Sequence, residues 1–150
     1  MANSFVVIHI HYTFSTKNRE KLLTEGIRAR LWPYMTAIAD QNGFKALAAG
    51  GVEDHAHILL SLPSSMSPAR AIQLVKTGSS RWIRSTFPKL KTFHWQEGYG
   101  AFSISKSRFD HTVYYINHQE EHHHVRTFKE EYLEFLKIHG IDPQDPYIFG

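Results

Sequence analysis

The sequence predicts an α+β chain: a ferredoxin-like, split βαβ unit with a four-stranded antiparallel sheet and additional C-terminal helices, one of them carrying a candidate nucleophilic tyrosine. Three observations predict it. Strand-like and helix-like hydrophobic runs follow one another in the order β-α-β-β-α-β. Two further helical stretches close the chain. The 150 residues, 42% hydrophobic and 13% aromatic, are enough for one well-buried core and too few for two ordinary domains.

Each element has its own warrant. Residues 5–14 are β-branched and aromatic and partly alternate over His9 to Phe14, giving a first strand. Thr24 stands as N-cap to a helix over Gly26 to Gln41, where Ile27, Leu31, Tyr34 and Ile38 recur at helical spacing before the Asn42-Gly43 stop. Phe44 to Val52 and His55 to Leu62 read as two strands joined by the acidic turn Glu53-Asp54. Ser67-Pro68 opens a second helix that runs to Thr86, ahead of Pro88. Beyond the aromatic loop Phe93-His94-Trp95-Gln96, Gly98 to Ile104 forms the fourth strand. Ser107 to His123 makes a third helix and Phe128 to His139 a fourth, followed by an irregular tail over residues 142–147.

Composition narrows the chemistry. The sequence has no 18-residue apolar run, and its N-terminus lacks the basic and apolar regions of a signal peptide, so a soluble cytoplasmic protein is expected. Zero cysteines exclude disulfides, thiolate metal sites and a cysteine nucleophile, leaving imidazole, carboxylate or amide as metal ligands. Seventeen Lys and Arg against fourteen Asp and Glu give a net charge of +3, which permits a phosphate-binding face without demanding one. The acids gather late, at Glu130, Glu131, Glu134, Asp142 and Asp145. The middle is basic, with Arg70, Lys76, Arg81, Arg84, Lys89 and Lys91. This stretch is the candidate nucleic-acid surface, against the plainer reading of solvated helix charges.

His55 and His57 are the first candidate site. On a strand, residues two apart share a face, so both imidazoles can reach one ion while Ala56 points the other way. An inner strand would show them to solvent only on a face that no helix covers. Two ligands do not make a site, so a metal pair and two structural histidines beside a turn both remain open. A third ligand is available in Gln119, whose amide oxygen suits Mg²⁺ or Mn²⁺. Gln119 follows Tyr115 by one helical turn, so the two project together. Tyr115 is the candidate nucleophile, against a core aromatic among Val113, Tyr114 and Ile116. On a continuous helix His122 falls on the same face as Tyr115 and Gln119, as a phosphate contact or proton relay, and His124 on the opposite side. Lys76 to Arg81 reads as a phosphate-touching helix segment, and Trp95 as a base-stacking platform.

These pieces together resemble the single-tyrosine HUH transposases, the family of small bacterial insertion-sequence and REP-associated tyrosine transposases. The resemblance rests on Gly50-Gly51-Val52-Glu53-Asp54-His55-Ala56-His57-Ile58-Leu59, Ile72 to Ser80, Trp95 to Ser103, and Tyr115-Ile116-Asn117-His118-Gln119-Glu120-Glu121-His122-His123. It extends over residues 5–140 and implies one transposase domain across residues 1–150. It further implies that His55, His57 and Gln119 bind Mg²⁺ or Mn²⁺, and that Tyr115 attacks single-stranded DNA to form a 5′-phosphotyrosine link and free a 3′-OH. Rejoining is the reverse attack. Hairpins near element ends are the implied substrate. The implied assembly is a homodimer in which the tyrosine helix of one subunit can serve the histidines of the other.

Two departures from the family pattern stand out. Ala56 is small where a bulky apolar residue is usual. The sequence has no long C-terminal extension, so DNA recognition is expected from the core and residues 70–106, with Lys76, Arg81, Trp95 and Lys106 as candidate contacts. Two alternatives accompany this reading: a domesticated relative acting on chromosomal repeat hairpins, and a catalytically silent nucleic-acid-binding protein of the same fold.

Overall fold

A computed structural model of the protein describes residues 3–122 and 126–142. Strands β1 (His9–Ser15), β2 (Lys45–Val52), β3 (His55–Ser61) and β4 (Gly100–Ser103) form one antiparallel sheet in the order β2-β3-β1-β4. Helices α1 (Glu25–Gln41) and α2 (Pro68–Thr86) follow β1 and β3, which completes the split βαβ pattern. Helices α3 (Phe109–Asn117), α4 (Gln119–His122) and α5 (Phe128–Ile138) close the described chain. The α+β class and the order of elements are those the sequence predicts.

Local chemistry sets the helix ends. The Thr24 hydroxyl accepts from Ile27 N at 3.4 Å and that of Ser67 from Arg70 N at 3.1 Å, each satisfying an otherwise orphaned helical N–H. Thr127 and Glu130 form a reciprocal capping box at the start of α5. β4 is shorter than the expected Gly98 to Ile104 and α3 starts at Phe109 rather than Ser107, and two larger differences have a visible cause. β1 begins at His9 rather than Phe5, because β3 and β4 end at the Ser61 and Ser103 partners of His9 and Ile10, leaving Phe5 to Val7 without a neighbour strand. The third predicted helix is interrupted at His118, whose φ of −120° and ψ of 32° are not helical. There His118 Nδ1 and Gln119 Nε2 fold back onto the carbonyls of Tyr114 and Tyr115, at 2.7 and 3.0 Å, in competition with helical N–H donors.

Strand alternation divides the interior into two layers. Ile10, Tyr12, Phe14, Ala56, Ile58 and Leu60 enter the main core with α1 and α2. Ala56 is fully buried in this core, and Gly51 beside it has no room for a side chain, since a Cβ there would lie 3.0 Å from Ala56 Cα and 3.1 Å from Trp32 Cη2. His11, Thr13, His55, His57 and Leu59 alternate onto the opposite face. That face is not bare, contrary to the expectation for the histidines. Ile116 of α3 packs on Ala48 and Leu59, while Phe128, Tyr132 and Leu136 of α5 pack with Phe102. The seating of α3 depends on Gly50, where a Cβ would come within 2.2 Å of Ile116 O. Gly50→Ala is therefore expected to lift α3, lowering stability by about 1–3 kcal/mol in urea unfolding.

Candidate active site

Four elements converge between α3 and α5. β3 contributes His55 and His57, β1 contributes His11, α3 contributes Tyr115 and α5 contributes Glu131. Both imidazoles on β3 are fully buried and Glu131 is 2% exposed. Glu131 Oε1 lies 2.8 Å from His57 Nε2 and 3.3 Å from His55 Nε2. Its other oxygen accepts the Tyr115 hydroxyl. His55 Nδ1 lies 2.7 Å from Asp54 Oδ1, and His57 Nδ1 lies 2.8 Å from His11 Nε2. Aromatic edges wall the group: the His57 and Tyr115 ring centres are 5.6 Å apart and nearly perpendicular, and Phe128 and Phe135 flank the imidazoles.

Burial and charge act on these groups in opposite senses. Burial, then the Glu131 charge, raises the Tyr115 pKa well above an ordinary phenol, with partial opposition from a Gln119 hydrogen bond, so the resting hydroxyl stays protonated. Burial lowers His55, but hydrogen bonds to Asp54 and Glu131 outweigh it and leave the pKa raised. His11 is held well below the usual histidine range by burial and by the neighbouring His57, so it is neutral.

His55, His57 and Glu131 offer ligand atoms that all lie within 4.8 Å of one another. Neighbouring ligands on an octahedral ion with bonds of about 2.1 Å stand about 3 Å apart, close to the two carboxylate-to-imidazole distances. Two imidazoles and a carboxylate suit a divalent cation. The buried Thr13 hydroxyl, opposite His57 across the strands, has no hydrogen-bond partner among the described residues, a gap that a water on a hydrated ion fits. Gln119, the third ligand expected from the sequence, is also buried, but its amide donates to the Tyr115 carbonyl and borders the phenol. Glu131 is the donor that sequence reasoning missed. Its signal was present: Phe128, Glu131, Tyr132 and Phe135 lie at i, i+3, i+4 and i+7, a carboxylate within an apolar helix stripe.

A cavity of about 490 Å³ opens onto the group. His11, Tyr115 and Glu131 line its inner wall, and Arg108, His111 and Arg126 border it further out. Arg126 is ion-paired with Glu134.

The other predicted contacts fall into separate places. Arg81 and Lys106 are exposed. Trp95 is a core residue, packed edge-on against Phe14 and Phe93, with Nε1 donating to Ser79 Oγ at 3.0 Å. Lys76 turns inward, and its ammonium donates to the carbonyls of Gln96, Glu97 and Gly98 at 2.7, 3.3 and 2.9 Å, close to the Phe14 and Tyr99 rings. Burial lowers its pKa to about 8. Lys76 thus ties α2 to the loop before β4. Lys76→Met should cost about 1–3 kcal/mol in denaturant unfolding, because three carbonyls lose a charged donor. The His122 side chain, together with His123, His124 and the tail beyond Asp142, lies outside the described residues.

The model of the IS200-like transposases matches residues 4–119. The chain belongs to this family. Among solved structures, the transposase is similar to a candidate transposase from Deinococcus radiodurans, at 25% identity over 79% of this chain and 96% of the other, with a TM-score of 0.65. It shares its fold with a REP-associated tyrosine transposase bound to a REP hairpin, at 16% identity over 93% and 73% of the two chains and a TM-score of 0.56. No curated protein matches the sequence. Among the described residues, no helix of the transposase is long and apolar enough to cross a membrane.

Proposed function

We propose that this transposase cleaves and rejoins single-stranded DNA through a 5′-phosphotyrosine at Tyr115, beside Mg²⁺ or Mn²⁺ held by His55, His57 and Glu131. The observation that carries the reading is the convergence of one hydroxyl and two imidazoles on a single buried carboxylate. Tyr115 Oη attacks the phosphorus and the bond to the 3′-oxygen breaks. The phenolic proton passes through Glu131 Oε2, which already accepts it as a hydrogen bond, to water, and water returns a proton to the departing 3′-oxygen, so that Glu131 ends as a carboxylate and no net proton is lost. A second 3′-OH reverses the step, so the phosphoester energy is conserved. A divalent cation, when bound, polarises a phosphate oxygen and offsets negative charge beside the phenol. Gln119 hydrogen-bonds to the phenol and so favours its ionised form.

The cavity beside Tyr115 is the proposed path of the strand, with Arg108 and His111 toward its backbone. Arg108→Ala should weaken binding of single-stranded DNA and make it less salt-dependent. An unchanged salt slope in a fluorescence anisotropy titration removes Arg108 from the contacts. The hairpin bound by the REP-associated enzyme recommends a hairpin with a single-stranded flank as first substrate. A homodimer, implied by the family resemblance, is part of the proposal. Tyr115 lies against His57 of its own chain, and in the dimer the tyrosine helix of one subunit can serve the histidines of the other. The decisive experiment is a denaturing protein gel of wild type with such DNA and Mn²⁺, in which a metal-dependent, slow-migrating adduct is expected.

A further inference from the structure

Among the histidines on the site face of the sheet, His11 has no place in the ligand set and no part in the reaction above, yet it is 2% exposed and hydrogen-bonded to one of the ligands. The two ligand histidines differ in what holds their second nitrogen. His55 Nδ1 meets the carboxylate of Asp54, which accepts only, so Nδ1 carries the proton and Nε2 is left for a metal. His57 Nδ1 meets another imidazole, and an imidazole can donate or accept.

From this difference we infer that His11 is a positioning residue that sets the tautomer of His57 and thereby prepares it for metal ligation, an inference that rests on the metal reading above. In the metal-free arrangement His57 Nε2 donates to Glu131 at 2.8 Å. A neutral His57 then has its lone pair on Nδ1 and accepts from His11 Nε2. Ligation through Nε2 requires the reverse. The Nε2 proton of His57 leaves to water, the Nε2 proton of His11 passes to His57 Nδ1, and water returns a proton to His11 Nδ1. Each ring holds one proton before and after, so no net charge is trapped in the buried pair. His11 and Glu131, the two partners of His57, both border the cavity, which gives these protons their route to and from solvent. An acceptor unable to exchange roles could serve only the metal-bound state; an apolar side chain would leave His57 Nδ1–H buried without a partner.

Mn²⁺ titrations by calorimetry, without DNA, test the inference on wild type, His57→Ala, His11→Leu and His11→Gln, with thermal unfolding in EDTA as a check of the fold. His11→Leu should weaken Mn²⁺ binding about 10- to 100-fold, the usual effect of removing a partner of a metal-ligating histidine. His11→Gln should recover most of the loss, since its side-chain oxygen can take the place of Nε2 as acceptor. Wild-type affinity in His11→Leu, or a glutamine variant as weak as the leucine one, overturns the role of His11. Undiminished affinity in His57→Ala overturns the metal reading itself, a separate result. If His11→Leu does not fold, ¹⁵N NMR of histidine-labelled wild type decides. Mg²⁺ should move the His57 proton from Nε2 to Nδ1, and a proton that stays on Nε2 overturns the inference.

Discussion

Tyr115→Phe is expected to eliminate the covalent protein–DNA adduct while leaving DNA affinity within a few fold of wild type. The change removes one oxygen from a half-buried ring whose packing against His57, His11 and Phe135 does not depend on it. Any lost activity therefore reports chemistry and not a collapsed site. The deleted hydroxyl does remove one hydrogen bond from Glu131, a cost of about 1–3 kcal/mol that thermal unfolding should register. The control lies next door: Tyr114 is 56% exposed and stacks on His118, 3.8 Å between ring centres, outside the Glu131 group. Tyr114→Phe should retain the adduct. A normal adduct yield in Tyr115→Phe moves the nucleophile elsewhere and removes the reason for placing a metal beside this phenol.

Glu131→Gln and Gln119→Ala should separate the two candidates for third ligand. Glu131→Gln keeps the shape and removes the negative charge that lies against both imidazoles. Mn²⁺ affinity should fall at least tenfold, about 1.4 kcal/mol or more, and cleavage should fall with it. Gln119→Ala should leave Mn²⁺ affinity near wild type and slow cleavage, because its amide contacts the phenol and the Tyr115 carbonyl. The opposite pattern would return Gln119 to the metal and leave Glu131 as a hydrogen-bond acceptor alone. Calorimetry on the DNA-free protein reads the first effect, and single-turnover cleavage the second.

The fold was readable because its cues are local. Thr24, Ser67 and Thr127 announce helix starts by their own side-chain chemistry, and the alternation along β1 and β3 assigns each residue to a face without knowledge of the rest. The pairing of His55 with His57 follows from the same period of two. What covers that face is not local. Nothing in the strand reports that α3 and α5 lie across it, and it is these helices that bury the histidines. A continuous helix puts Gln119 on the face of Tyr115, and although His118 interrupts that helix the Gln119 amide still borders the phenol. Trp95 and Lys76, read from the sequence as nucleic-acid contacts, are engaged within the fold for a related reason. An aromatic and a cation in a loop look alike in sequence whether they face a ligand or clamp the loop, and here the partners that decide it are Ser79 and three backbone carbonyls. Glu131 was hidden among late acidic residues, because net charge counts a buried carboxylate and a solvated one equally.

The partnership of His57 with Glu131 spans 74 residues of chain, and this has a bearing on when the site comes into being. The last strand of the sheet ends at Ser103, so both imidazoles leave the ribosome well before α5 does. Closing the remaining loop is an entropic cost met only when Phe128, Tyr132 and Leu136 reach Phe102. The carboxylate therefore arrives last, on the element whose apolar stripe brings it in. Competence is thus a property of the completed fold, and a nascent or partly unfolded chain that retains its sheet has two histidines and no third ligand.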